Sequence, residues 1–148
     1  MSFSERSIIA ELVSSLLVVA LFVWLIAGRH AQGAFDGPDG LMLWARQVLW
    51  MIPAGIGVSL LVTLLLAALY HATTRAAFDD LVDERDRMIA GFGWRVTAIA
   101  ISTGFVGALA ALAWGLPVFV ALNLMLGAFA LGDISGNVAK LLRYRLGI

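Results

Sequence analysis

Asp79-Asp80-Leu81-Val82-Asp83-Glu84-Arg85-Asp86-Arg87-Met88-Ile89 is the one dense run of charge in a strongly apolar chain. On both sides of it the residues are suited to lipid. Of 148 residues, 61% are hydrophobic and 14% are charged, and the mean hydropathy is +0.95. A soluble domain carries roughly 25% charged residues. This chain would leave too much apolar surface in water, so a bilayer is its natural solvent.

Outward from the charged run lie four apolar segments, at about residues 8–28, 51–70, 91–114 and 117–141. Only helices and closed barrels satisfy their backbone in lipid, and these runs lack the alternation of barrel strands. The fold expected is all-α: one polytopic domain over residues 1–148 with four transmembrane helices. The run from Ile8 to Ala27 is long enough to span and longer than a signal-peptide core, so it reads as a retained helix. Gly115-Leu116-Pro117 leaves almost no connection, and Pro suits the first position of a helix. Segments three and four are therefore expected to form a tight antiparallel hairpin. Residues 41–70 are too long for one simple span, at roughly 45 Å of helix. Pro53 with Gly55 and Gly57 suggests an interfacial piece over 41–51 followed by the span proper; a single kinked helix is the alternative.

Orientation follows from the basic residues. Arg29 and Arg46 flank the first connection, whereas Arg6, Arg75, Arg85, Arg87, Arg95, Lys140, Arg143 and Arg145 all fall on the other side. Both termini and the charged run are thus expected in the cytoplasm of a bacterium, with the chain in the inner membrane. Trp24, Trp44, Trp50 and Trp114 would cluster near the outer interface, and Trp94, Tyr70 and Tyr144 near the inner one.

The charged run reads as a cytoplasmic helix over about 79–90, capped by Asp79 or Asp80. Asp83 and Arg87 stand in the favourable acid-first i, i+4 order. One reading is a solvated helix start with local ion pairs. The functional reading is a docking surface of Asp83, Glu84, Arg85 and Arg87 for a cytoplasmic protein or another protomer. A paired-carboxylate active site is the third, with no histidine or metal-ligand pattern to accompany it.

Asp83-Glu84-Arg85-Asp86, then Ile89, then Arg95 at the start of an apolar helix, resembles the D-E-R-[DE]-x-x-I…R motif of the DUF2178-like small bacterial integral-membrane proteins. The match covers about residues 80–95. That family has no established activity, so the resemblance implies class and topology, and only an association with regulators or larger complexes.

Three intramembrane polar features stand out. Glu11 lies about a turn inside segment one, and an ionisable group in a span is a functional candidate. A glutamate in the first of four short helices is similar to the arrangement in small multidrug transporters, which implies proton-for-cation exchange. The remaining motifs of that family are absent here. Its structural role would be to snorkel or to pair with a basic neighbour. Asp133, Asn137 and Lys140 form one stripe of segment four, continued outward by Asn123. Such a stripe must face other helices or water. Arg95 begins the antiparallel neighbour at similar depth, so an Asp133–Arg95 pair fixing the hairpin is the preferred reading, ahead of an ion path. Third, Ala100, Gly104 and Ala108 form a small-residue ridge on segment three, as Ala128, Gly132 and Gly136 do on segment four. Such ridges let backbones approach closely. One is expected to close the hairpin, and the other to serve a partner or a second copy.

With no cysteine, the chain has no disulfide and no thiol chemistry. His30 and His71 fall in different connections. No cofactor or metal is expected, and a net charge of zero without a basic cluster argues against nucleic acid. The expected function is a non-enzymatic accessory, assembly or regulatory subunit of a membrane complex, self-associated or bound to other membrane proteins. The alternatives are a dimeric proton-coupled transporter using Glu11 or Asp133, and a membrane-bound factor that sequesters a cytoplasmic regulator.

Overall fold

The protein is all-helical, as a computed structural model that describes residues 3–74 and 83–147 shows. In chain order the helices are α1 (Phe3–Ala31), α2 (Gly40–Thr74), α3 (Glu84–Ala113) and α4 (Val118–Leu146). Each is long and apolar enough to cross a membrane. The expected cap at Asp79 or Asp80, and Arg75, lie outside the described residues, as do the side chains of Arg6, Tyr70 and His71.

The chain packs as two compact units, Met1–Leu12 with Arg75–Ile148 and Val13–Thr74. The single domain expected from the sequence thus contains two packing units, divided within α1.

In the unit of residues 13–74, α1 ends on Gly33, whose φ of 71° is readily reached only without a Cβ. There Gly33 N–H donates to the His30 carbonyl at 2.9 Å and Ala34 N–H to the Arg29 carbonyl at 3.1 Å. These two bonds satisfy carbonyls that the helix end would otherwise orphan. The turn folds back until Gly40 meets the Phe35 backbone so closely that a Cβ would overlap the Phe35 carbonyl. From Gly40 α2 runs unbroken for 35 residues, with Pro53 inside it. The interfacial piece ending before Pro53 is therefore replaced by the single-helix alternative. Proline removes one backbone donor and would end many helices in water. In lipid the chain has no better hydrogen-bonding partner than its own helix, so helix persists on both sides. Trp44 is buried rather than displayed in an interfacial belt, while Trp24 and Trp50 are exposed.

In the other unit the charged turn and the third span are one helix. Asp83 is extended, at φ −74° and ψ 160°, and its carboxylate accepts from Glu84 N–H at 2.6 Å. Ending α3, Gly115 takes φ 79°, with Gly115 N–H donating to the Leu112 carbonyl and Leu116 N–H to the Ala111 carbonyl, both at 3.0 Å. This Schellman closure reverses the chain in a few residues. Pro117 stands one position before α4 rather than at its first position, and its carbonyl accepts from Val120 N–H at 2.9 Å.

The hairpin interface uses both small-residue ridges. Gly104 sits so close to Ala128 that a Cβ there would overlap the Ala128 methyl. At Gly132 a Cβ would lie 3.1 Å from Ile101 Cγ1 and 3.2 Å from the Thr97 carbonyl oxygen. Gly136 faces Thr97 in the same way, and Ala108 and Ala128 are buried. The expectation that one ridge would serve a partner is corrected here: the two share a helical phase and face each other. Thr97 Oγ1 adds a hydrogen bond to the Gly132 carbonyl at 3.0 Å, a contact possible only because glycine brings the backbones together.

Candidate functional site

Two polar groupings lie where the start of α3 meets the end of α4. The first is centred on Lys140. Its side chain runs across Gly93, where a Cβ would sit 2.5 Å from Lys140 Cγ and 2.7 Å from Cε. From there Nζ donates to Asn137 Oδ1 at 2.9 Å and to Glu11 Oε2 at 3.2 Å. Asn137 is only 3% exposed, whereas the side chains of Lys140 and Glu11 are 17% and 51% exposed. The acid of α1 is thus tied to α4 by a cation that crosses α3 through a gap without a side chain.

Arg95 is not the cation that joins this stripe. It stands two residues from both Gly93 and Thr97, which face α4, and a two-residue step turns a helix by about 200°. Arg95 is accordingly exposed on the side of α3 away from α4, and the expected Asp133–Arg95 pair is corrected. Asp133 is exposed beside buried Gly132, so the stripe divides into a buried Asn137, a half-buried Lys140 and an exposed Asp133. Asn123 bonds locally, its Nδ2 donating to the Phe119 carbonyl at 2.8 Å.

The second grouping joins the first turn of α3 to the last turns of α4. Tyr144 Oη donates to an Asp86 carboxylate oxygen. Two arginines lie over rings of the opposite helix: Arg85 Cζ is 5.9 Å from the Tyr144 ring centroid, and Arg143 Cζ is 4.2 Å from that of Phe92. Both distances fall within the range of cation–π attraction. Ile89, on the same stretch of α3, is 2% exposed.

This arrangement reassigns the residues expected to dock. Asp83 spends its carboxylate on the helix cap, and Arg87 meets it only through a backbone N–H to the Asp83 carbonyl at 3.2 Å. The expected Asp83–Arg87 pair is absent because an extended capping residue does not project along the helix side as a helical one does. Arg85 is directed toward Tyr144. Glu84 and Arg87 remain as exposed charges on a turn fixed from two directions.

Sequence reasoning missed Gly93, Thr97, Phe92 and the Asp86–Tyr144 bond. Gly93 and Thr97 were open to it, since they precede Ala100 at steps of four and three residues and so share the side of α3 that carries Ala100, Gly104 and Ala108. Comparison of the chain with protein-family models, characterised proteins and solved structures finds no match.

Proposed function

We propose that the protein is a non-enzymatic accessory, assembly or regulatory subunit of a bacterial inner-membrane complex, with both termini cytoplasmic. The observation that carries the reading is the display of Glu84 and Arg87 on an immobilised turn. Asp83 caps that turn and Asp86 tethers it to Tyr144. A turn whose backbone is already fixed loses little further freedom on docking, and opposite charges side by side select a partner by complementarity. The resemblance of residues 83–95 to the DUF2178-like motif supports the same class. The test is in-cell cross-linking from a photoreactive residue at Arg87, with mass spectrometry of the products. A defined partner, lost on Glu84→Arg in the same turn while the hairpin persists, is the expected result. Products from lipid or from random neighbours only would overturn the reading.

A second reading rests on Glu11, an acid in a candidate span whose side chain is half exposed and which pairs with Lys140. A proton-coupled transporter would use it, or Asp133, as the coupling acid. Uptake of a lipophilic cation into proteoliposomes under a proton gradient, abolished by Glu11→Gln or Asp133→Asn without loss of assembly, would favour transport over the accessory role.

A further inference from the structure

We propose that the face shared by the start of α3 and the end of α4 is a binding site for an anionic phospholipid, with Arg85 and Arg143 holding the phosphate. Each guanidinium lies over a ring of the opposite helix, Arg85 over Tyr144 and Arg143 over Phe92. Stacking engages the flat face of a guanidinium and leaves its edge, where the N–H donors are, free to bind. Among the described residues no carboxylate accepts an ion pair from either arginine, and Asp86 accepts from Tyr144. Among the described residues, then, two arginines rest over rings without an ion-pair partner, and guanidinium N–H donors suit phosphate oxygens.

The position of Arg143 argues for a lipid. Gly93 faces Gly136 and Lys140, so the neighbouring Phe92 lies about a turn nearer the middle of α4 than Arg143 does. Arg143 thus reaches back along the helix toward the apolar spans instead of out toward water, the reverse of ordinary snorkelling. A cation placed there gains from an anion that is itself anchored in the bilayer. Below the arginines the face continues as Met88, Phe92, Val96 and Ile99, at spacings of three and four residues on one side of α3. Met88 is 62% and Ile99 67% exposed, which supplies an apolar track for an acyl chain directly under the charged head.

The experiment is native mass spectrometry of the full chain released from vesicles of either phosphatidylglycerol or phosphatidylcholine, paired with thermal unfolding in detergent on adding each lipid. Wild type is expected to retain phosphatidylglycerol and be stabilised by it, and to show neither response to phosphatidylcholine. Arg85→Gln with Arg143→Gln should weaken retention roughly tenfold or more, and Arg145→Gln should not. Phe92→Leu keeps both charges but removes the ring that aims Arg143, and should give an intermediate loss. Equal retention of the two lipids by wild type would overturn the proposal without recourse to any variant. Undiminished retention by the double variant would overturn it too. Stabilisation by inorganic phosphate alone, equal to that by phosphatidylglycerol, would show a free-anion site and overturn the assignment to lipid.

Discussion

Lys140 reaches Glu11 by crossing the bare backbone of Gly93, with its Nζ 3.2 Å from Glu11 Oε2 at the end of that path. Gly93→Ala should therefore act at a distance from the charges it affects. A methyl there would stand 2.5 Å from Lys140 Cγ and 3.0 Å from the Gly136 carbonyl oxygen, so side chain or helix must move. Overpacking of this kind costs about 1–3 kcal/mol, against the ~0.5–1 kcal/mol that alanine gains over glycine within a helix. The expected result is net destabilisation in a reversible detergent unfolding titration, partly relieved when Lys140→Ala is added. A Gly93→Ala variant as stable as wild type would show that the lysine does not depend on the gap.

Lys140 and Glu11 should contribute unequally to the cluster. Lys140→Met strands the Oδ1 of Asn137, which is 97% buried by its 3% exposure, and a buried acceptor left without its donor costs about 1–3 kcal/mol. Glu11→Gln leaves the Lys140–Asn137 bond in place. With the Glu11 side chain 51% exposed, its ion pair should contribute about 0–1 kcal/mol. A double-mutant cycle on the unfolding free energy measures the coupling. Equal losses from the two single changes would refute this order.

Much of the architecture was legible in the sequence, because lipid restricts a chain to few solutions. Four apolar runs had to be helices, and Gly115-Leu116-Pro117 left no length for anything but a hairpin. Pairing was less legible. Arg95 was matched to Asp133 by depth alone, yet depth and helical phase must agree for two side chains to meet. Phase was available: Arg95 stands two residues off the line of Gly93, Thr97 and Gly104, while Lys140 stands four beyond Gly136 on the matching line of α4. The Asp86–Tyr144 bond was not accessible in this way, since it depends on where the terminal turns of two helices finish. The break expected in α2 failed because the proline rule was learned in water, where the freed carbonyl has a ready alternative donor.

Glycines of α3 provide a test of the interface with its own control. Gly104→Ala places a methyl on that of Ala128, whereas Gly107→Ala meets nothing within 4 Å. The first should lower the unfolding free energy by about 1–3 kcal/mol through overpacking. The second should be neutral or raise it by up to ~1 kcal/mol through reduced backbone freedom in the unfolded chain. If the two variants unfold alike, Gly104 is not at the helix contact.

Orientation can be read directly because the chain has no cysteine. Gly37 has open space for a side chain, so Gly37→Cys should be tolerated in the turn between α1 and α2. Leu146, near the far end of α4, is 65% exposed and gives a second site. Only Arg29 and Arg46 of the Lys and Arg residues lie on the side of that turn, and the positive-inside rule therefore predicts the turn outside and the C-terminus inside. A membrane-impermeant maleimide should label Gly37→Cys once the outer membrane is permeabilised, and Leu146→Cys only after the inner membrane is opened. The opposite pattern would put Glu84 and Arg87 on the outer face, where no cytoplasmic protein could meet them. Labelling at both sites before lysis would mean a mixed orientation, as expected if the basic residues did not control insertion. Only the first pattern leaves the charged turn of α3 where a cytoplasmic partner can dock.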